Sequence, residues 1–302
     1  MSETTLDLLA SYAALTDDVA AVVVDFDVVA VRGPDALSYL QTQCSQDLTS
    51  LVVGTSIESL VLSPQGKLEA YVRVARTAED AALVVVDAGF GEQLHERLRR
   101  FKLRVHAELA LERWSGLALR GPEALAVAAT LPEAVLLEVA WPGFVGVDAI
   151  GPSLRSPAGL RLASPAAFEA RRIEAGVPAM GRELTEKTIV QESGLTARTV
   201  SFTKGCYPGQ ELVARIDARG GNVPKHLRGL LITAPQIEAG AEIVIDERVV
   251  GSVTSAIWSP GHAAVVALGY IGRATNVPAP CVVAEPGGGE YHPARIVELP
   301  IP

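Results

Sequence analysis

At 302 residues, 49% hydrophobic and 20% charged, the chain is long enough for two or three domains with buried cores. A formal net charge of −9 argues against tight nonspecific binding to nucleic acid or to an anionic membrane, although it leaves room for a local basic cleft. Three widely spaced cysteines, Cys44, Cys206 and Cys281, form no CxxC, so no zinc knuckle, thioredoxin-like pair or self-contained iron–sulfur site is readable.

The N-terminus is acidic and lacks the basic-then-apolar layout of a signal peptide. The apolar run Val19–Val31 is broken by Asp25 and Asp27 and is too short to span a bilayer. The expectation is a soluble, cytoplasmic protein with no membrane partner. After a short helical lead-in at best, Val22–Val24 and Val28–Val31 read as strand. Arg32-Gly-Pro-Asp-Ala-Leu37 then turns into a helix, with Pro34 at its start. Ser63-Pro-Gln-Gly66 fits a type I turn between two strands. In the second of these, Leu68, Ala70, Val72 and Val74 alternate with Glu69, Tyr71 and Arg73, as in a half-buried hairpin. Ala82–Val86 reads as strand and Gly91–Lys102 as helix. Leu94, Leu98 and Phe101 should point inward there, while Arg97, Arg99, Arg100, Lys102 and Arg104 make a solvated basic end.

The strand and corner then recur. Leu117-Ala-Leu-Arg-Gly-Pro-Glu-Ala-Leu125 matches Val29-Ala-Val-Arg-Gly-Pro-Asp-Ala-Leu37 at a constant offset, which points to a duplicated subdomain with copies starting near 20 and 113. A Pro/Gly/Ser-rich loop follows at 151–159. Ser164-Pro165 opens a helix that Gly176-Val-Pro178 ends. A β-type run at 199–203 leads into Lys204-Gly-Cys-Tyr-Pro-Gly-Gln-Glu211. A helical pattern comes next, with Leu212, Val213 and Ile216 on one face, Glu211 and Arg215 at i, i+4, and Pro208 suited to the first helical position. Cys206 thus falls just before a helix N-terminus and two residues after a lysine, and both would favour a thiolate. Alternatively, it is a small core hydrophobe. From Leu227 onward, short strands and turns describe a β-barrel or sandwich, so the domains divide as 1–222 and 223–302, with a linker near Gly220–Pro224.

No dinucleotide or P-loop fingerprint occurs, and Gly287-Gly-Gly289 reads as a hairpin loop. The five histidines show no metal-binding spacing and no Gly-x-Ser-x-Gly is present.

Lys204-Gly-Cys-Tyr-Pro-Gly-Gln-Glu211, followed by Val213-Ala-Arg215 and Arg219-Gly220, resembles the signature of the YgfZ-type folate-binding proteins, relatives of the glycine-cleavage aminomethyltransferase. Arg171-Arg-Ile-Glu-Ala-Gly176 is similar to that family's Arg-x-Glu-x-Gly helix. Ile189-Val-Gln-Glu-Ser-Gly-Leu195 is similar to its Ile-Pro-Gln-Glu-x-Gly-Leu block, with Val190 in place of proline. The resemblance implies an α+β aminomethyltransferase-like fold, two related α+β subdomains plus a C-terminal β-barrel, around a tetrahydrofolate cleft. It implies that Glu174 hydrogen-bonds the pterin edge, with Gln191, Glu192, Tyr207, Gln210, Glu211 and Arg215 as further cofactor-binding candidates. Cys206 and Lys204 become the reactive pair. The implied role is an auxiliary protein for iron–sulfur cluster assembly or repair. Its clients would be iron–sulfur enzymes or assembly proteins, and it would affect tRNA modification without direct nucleic-acid contact. At the place where the aminomethyltransferases carry paired aspartates this chain has Glu69-Ala70, which speaks against aminomethyl transfer. The alternatives are a folate-dependent one-carbon transferase using Glu69 or Glu192, and a scaffold with a vestigial cleft.

Overall fold

The computed structural model describes residues 3–285 and 289–302; Gly287 and Gly288 of the expected glycine turn lie outside them. Two long strands organise the first 220 residues. β1 (Ala20–Arg32) and β5 (Glu108–Arg120) run antiparallel along their whole length, with Phe26 opposite Trp114 at the centre. Each ends in a Gly-Pro corner, where Gly33 and Gly121 take φ of 135° and 115°. Short helices follow, α2 (Ala36–Gln43) and α4 (Ala124–Ala128). The first copy adds β2 (Ser56–Leu62), β3 (Leu68–Ala78), β4 (Ala81–Asp87) and α3 (Gly91–Phe101). The second adds β6 (Val135–Glu138), β7 (Gly146–Gly151) and α5 (Pro165–Glu174). The strands join into one seven-stranded antiparallel sheet, ordered β2-β3-β4-β1-β5-β7-β6. An N-terminal helix, α1 (Glu3–Asp17), packs on α5.

Strand alternation gives the sheet two differently filled faces. Val29, Val31, Val72, Val74, Val84 and Val86 pack with Leu40, Leu94 and Leu98 of α2 and α3. The opposite face carries Phe26, Val28, Leu83, Val85 and Ile150. That second face holds the cavity described below. The turn at Ser63–Gly66 forms as expected, with the Gly66 N–H bonding the Ser63 carbonyl at 2.8 Å. So does the start of α5, where Ser164 Oγ accepts from the Ala167 N–H at 3.3 Å and Pro165 leads the helix.

Three local readings are corrected. In α3 Leu94 and Leu98 are buried as expected, but so is Arg97, while Phe101 is 36% exposed. Arg97 lies one turn from Leu94 and bonds Glu69 (2.6 Å), Gln43 (3.1 Å) and the Leu62 carbonyl (3.1 Å), with Phe101 stacked over its guanidinium. The 199–203 run makes no strand, because a short helix, α6 (Thr196–Thr199), occupies its start. Pro208 does not begin the next helix. The Gln210 N–H bonds the Tyr207 carbonyl at 3.3 Å, and Gly209 has φ 84°, a type II turn with proline second and glycine third. α7 (Gln210–Asp217) starts after it.

The C-terminal part is a closed barrel of β8 (Lys225–Ile232), β9 (Glu242–Ile245), β10 (Arg248–Ser259), β11 (Ala264–Gly272), β12 (Ala279–Ala284) and β13 (Tyr291–Val297), in the order β10-β11-β8-β13-β12-β9. Closure settles the choice between barrel and sandwich. The barrel docks through buried polar contacts centred on Glu183, which accepts from Thr254 (2.8 Å), Ser255 (2.6 Å) and Arg172 (3.1 Å).

Candidate ligand-binding site

A cavity of about 240 Å³ lies between the second face of the sheet, α5 with the Val177–Ala179 segment after it, and the turn joining β6 to β7. Phe26, Tyr71, Trp141 and Phe168 give it aromatic walls. Tyr71 and Arg73 are the residues that alternation places outward on β3; the second subdomain and α5 cover them, so the outward face becomes the wall.

The fully buried charge in the cavity is paired. Asp148 is buried between two guanidinium groups, Arg120 at 2.7 Å and Arg73 in direct hydrogen-bond contact. Burial alone would raise its carboxyl, but Arg120 and Arg73 outweigh that and hold it below the usual carboxylate range. Arg120 also stacks over Trp141 (4.4 Å) and Phe168 (5.2 Å), which fixes the aromatic wall. Its counterpart in the first copy, Arg32, sits at the surface on Glu112 at 3.2 Å. One repeat position therefore serves two purposes, because only the second copy is roofed by α5.

Tyr71 donates to Glu58 at 2.6 Å, and burial followed by the Glu58 charge drives its hydroxyl well above the ordinary range. Asp87 differs from Asp148 and Glu58, which are paired, and, being half-buried, from the exposed Asp25 and Glu138 that also line the cavity. Among the described residues its side chain makes one hydrogen bond, accepting the Met180 N–H on Oδ2 at 3.3 Å. Its Oδ1 is left for another donor. Aromatic faces, a half-buried acceptor with a vacant oxygen and flanking guanidiniums suit a flat, nitrogen-rich ring.

The residues singled out from the sequence fall in two places. Glu174 does not line the cavity; its carboxylate accepts from Tyr12 (2.9 Å), Arg171 (2.8 Å) and Ser259, so it clasps α1, α5 and β10 together. The others gather behind the β2–β3 hairpin. Tyr207 is buried with Leu62, Leu68, Met180 and Val213, in a cluster that Tyr71 packs against, and burial pushes its hydroxyl up to about 12. Gln191 donates to the Val213 carbonyl at 2.9 Å, tying its 3-10 turn (Val190–Glu192) to α7. Glu192 is buried and accepts the Ile189 N–H at 3.3 Å. Gln210 starts α7, and Glu211 and Arg215 on it are exposed.

Cys206 is exposed, whereas Cys44 and Cys281 are buried. The expected pairing of Lys204 with Cys206 is corrected. Lys204 Nζ donates to the carbonyls of Gln41 (2.6 Å), Cys44 (2.7 Å) and Gln46 (2.8 Å). An ammonium has three protons, and all three are taken at the C-terminal end of α2. Burial lowers the Lys204 ammonium from its ordinary range, against smaller opposing effects of Cys44 and Asp47. Glu69 is likewise committed, bonded to Arg97, and Ala70 lies in the core. No group of three His, Cys, Asp or Glu side chains among the described residues is placed to hold a metal ion. No described helix is long and apolar enough to cross a membrane.

The sequence reading missed Asp87, Asp148, Arg120 and Trp141. A signal existed for one of them, since Arg120 repeats Arg32. The others need the three-dimensional roof.

Residues 12–148 match the family model of the GCVT N-terminal domain, and residues 225–301 that of the glycine cleavage T-protein C-terminal barrel domain. The chain is 31% identical over 221 residues to tRNA-modifying protein YgfZ of Edwardsiella ictaluri, covering 66% of each chain. It is 26% identical over 311 residues to an aminomethyltransferase of Streptomyces avermitilis, covering 90% of this chain and 83% of that one. In structure it is similar to the glycine cleavage system aminomethyltransferase T from Bartonella henselae, with a TM-score of 0.83 over 98% of this chain and 89% of that one, at 22% identity.

Proposed function

Because the chain belongs to the glycine cleavage T-protein superfamily, we propose that it is a tetrahydrofolate-binding auxiliary protein that supports iron–sulfur cluster assembly or repair and through it tRNA modification. The observation that carries the folate reading is the 240 Å³ aromatic cavity with Asp87 on its wall. It is smaller than the roughly 300–1,000 Å³ of whole-ligand pockets, so it takes a bicyclic head and leaves a tail outside. A pterin's 2-amino group and ring N–H would donate to the carboxylate of Asp87, while Tyr71 and Trp141 cover the ring. The similarity to YgfZ supports the auxiliary role, and the exposed Cys206 offers a sulfur that a client could reach.

The test is calorimetry with tetrahydrofolate. Saturable heat and a rise in melting temperature are expected, with quenching of Trp141 fluorescence on titration. Asp87→Ala should abolish the heat while the free protein melts within a few degrees of wild type. No heat and no shift for the wild type would refute the folate reading. Complementation by Cys206→Ala, in a strain lacking the protein, tests the auxiliary role separately; full rescue would remove the sulfur from it.

A further inference from the structure

The last turn of α3 and the corner after it make a basic tip with an apolar point. Arg99, Arg100 and Arg104 are exposed and Lys102 is half-buried. Among them stands Leu103, at 79% the most exposed of the large hydrophobic residues described. The corner holds it there. The Lys102 N–H bonds the Arg99 carbonyl at 3.3 Å, and the Leu103 N–H bonds the Phe101 carbonyl at 3.2 Å. Lys102 Nζ reaches forward to the Val105 carbonyl at 3.3 Å. The His106 N–H donates to Asp35 at 2.7 Å, which fastens the return to the turn before α2. Between these ties Arg104 has φ 56°, where glycine or asparagine would sit more easily. The chain thus carries an arginine where its backbone disfavours one, next to a leucine in water.

The acids nearby are engaged. Glu96 faces Arg99 at 2.8 Å, Asp35 takes the His106 N–H, and Glu108 lies across the ladder from Arg32. Arg100, Lys102 and Arg104 are the outward charges of the tip. They sit on a chain of net charge −9. Screening confines their pull to about 8–10 Å in physiological salt. A long polyanion, whether nucleic acid or an anionic bilayer, would meet the surrounding negative surface as well. A short acidic segment meets the tip alone. A phosphate chain has no use for Leu103, whereas an amphipathic segment can cover it with an apolar side chain of its own.

We propose that the α3 tip is a docking point for a protein partner, which presents a short segment acidic on one side and apolar on the other. Arg100 and Arg104 pair with its carboxylates, and Leu103 is the apolar anchor. The tip gives the auxiliary role a place for a client to hold. It belongs to the face of the sheet that α2 and α3 cover, away from the aromatic cavity, so docking does not need the cavity's ligand.

The probe is a fluorescein-labelled peptide that repeats Glu-Glu-Leu-Leu, read by anisotropy against the full chain. Two control peptides put Gln for each Glu, or Ser for each Leu, and should bind at least about tenfold more weakly. Leu103→Ser should weaken the acidic peptide about tenfold, the effect of one leucine no longer buried. Arg100→Glu and Arg104→Gly should each weaken it about threefold and flatten its dependence on salt. Glycine suits the φ at position 104, so Arg104→Gly should melt no lower than wild type, and its lost binding is not lost fold. Leu125→Ser removes a leucine that is 59% exposed on α4, and should bind as the wild type does. An acidic peptide that does not bind, or binding untouched by Leu103→Ser and both arginine replacements, would overturn the docking point. So would an equal loss in Leu125→Ser. Tighter binding of polyuridylate RNA, or of phosphatidylglycerol vesicles, than of the peptide would assign the tip to a polyanion and overturn the protein partner. None of these measurements involves tetrahydrofolate, so the tip and the folate cavity stand or fall separately.

Discussion

Gly33 and Gly121 close reciprocally on each other's subdomain. A Cβ on Gly33 would lie 2.5 Å from the carbonyl oxygen of His106, just before β5, and one on Gly121 would lie 2.2 Å from that of Asp18, just before β1. The same offset of 88 residues separates Gly33 from Gly121 and Asp18 from His106. Each corner also bonds the lead-in that faces it, Asp35 N–H to His106 at 3.3 Å and Glu123 N–H to Asp18 at 3.4 Å. The duplication is therefore locked by a crossed pair of backbone contacts at the two ends of β1 and β5. Alanine at either glycine meets a carbonyl and an unfavourable φ together, so Gly33→Ala and Gly121→Ala should each cost about 2–4 kcal/mol in urea unfolding. Gly54→Ala is the control: its φ is 86° but nothing lies near it, and about 1 kcal/mol is expected. Costs no greater than that control would disprove the crossed contact.

The three cysteines should separate by access. Ellman's reagent should titrate one thiol in the native protein, and that one should disappear in Cys206→Ser. All three should react in guanidinium. A second fast thiol in the native state would mean that Cys44 or Cys281 is not shielded as the structure has it.

Alkaline pH should destabilise the fold through the buried thiols. Burial pushes Cys44 up to about 11 from an ordinary 9.0, with Lys204 pulling slightly the other way, and burial pushes Cys281 to about 11 as well. Between these limits the unfolded thiols lose protons that the folded ones retain. Stability is thus full below pH 9 and falls as pH rises toward 11, by about 1.4 kcal/mol per unit for each cysteine. Cys44→Ala should be less stable at neutral pH because of the space it leaves, yet show a shallower fall above pH 9. An unchanged slope would rule out Cys44 as a contributor.

Glu174→Gln separates a ligand carboxylate from a structural clasp. The clasp joins Tyr12, Arg171 and Ser259, so the replacement should cost about 1–3 kcal/mol of stability. Tetrahydrofolate affinity should stay within about twofold. A large loss of binding with unchanged melting temperature would return Glu174 to the ligand.

The duplication, the barrel and the family were legible from the chain because they rest on local pattern: a repeated Arg-Gly-Pro corner, period-2 strands and one long motif. Arg97 and Phe101 were not, since helix periodicity allows either to face inward and only the Glu69 and Gln43 partners decide it. The cavity wall was hidden for a related reason. Tyr71 and Arg73 alternate as solvent-facing residues on β3, and it takes residues far along the chain, Trp141 and Phe168, to turn that face into an interior. The start of α7 reads two residues early in the sequence, at Pro208, because a type II turn and a helix start both favour proline.

The three carbonyls around the Lys204 ammonium change how its replacement must be interpreted. A Lys204→Ala variant with no activity would at first suggest a lost acid or base. Here it would instead describe a tether cut at the end of α2, with the sulfur two residues on swinging out of register. Chemistry and anchorage give the same phenotype at this position, and the loop's protease sensitivity is what tells them apart.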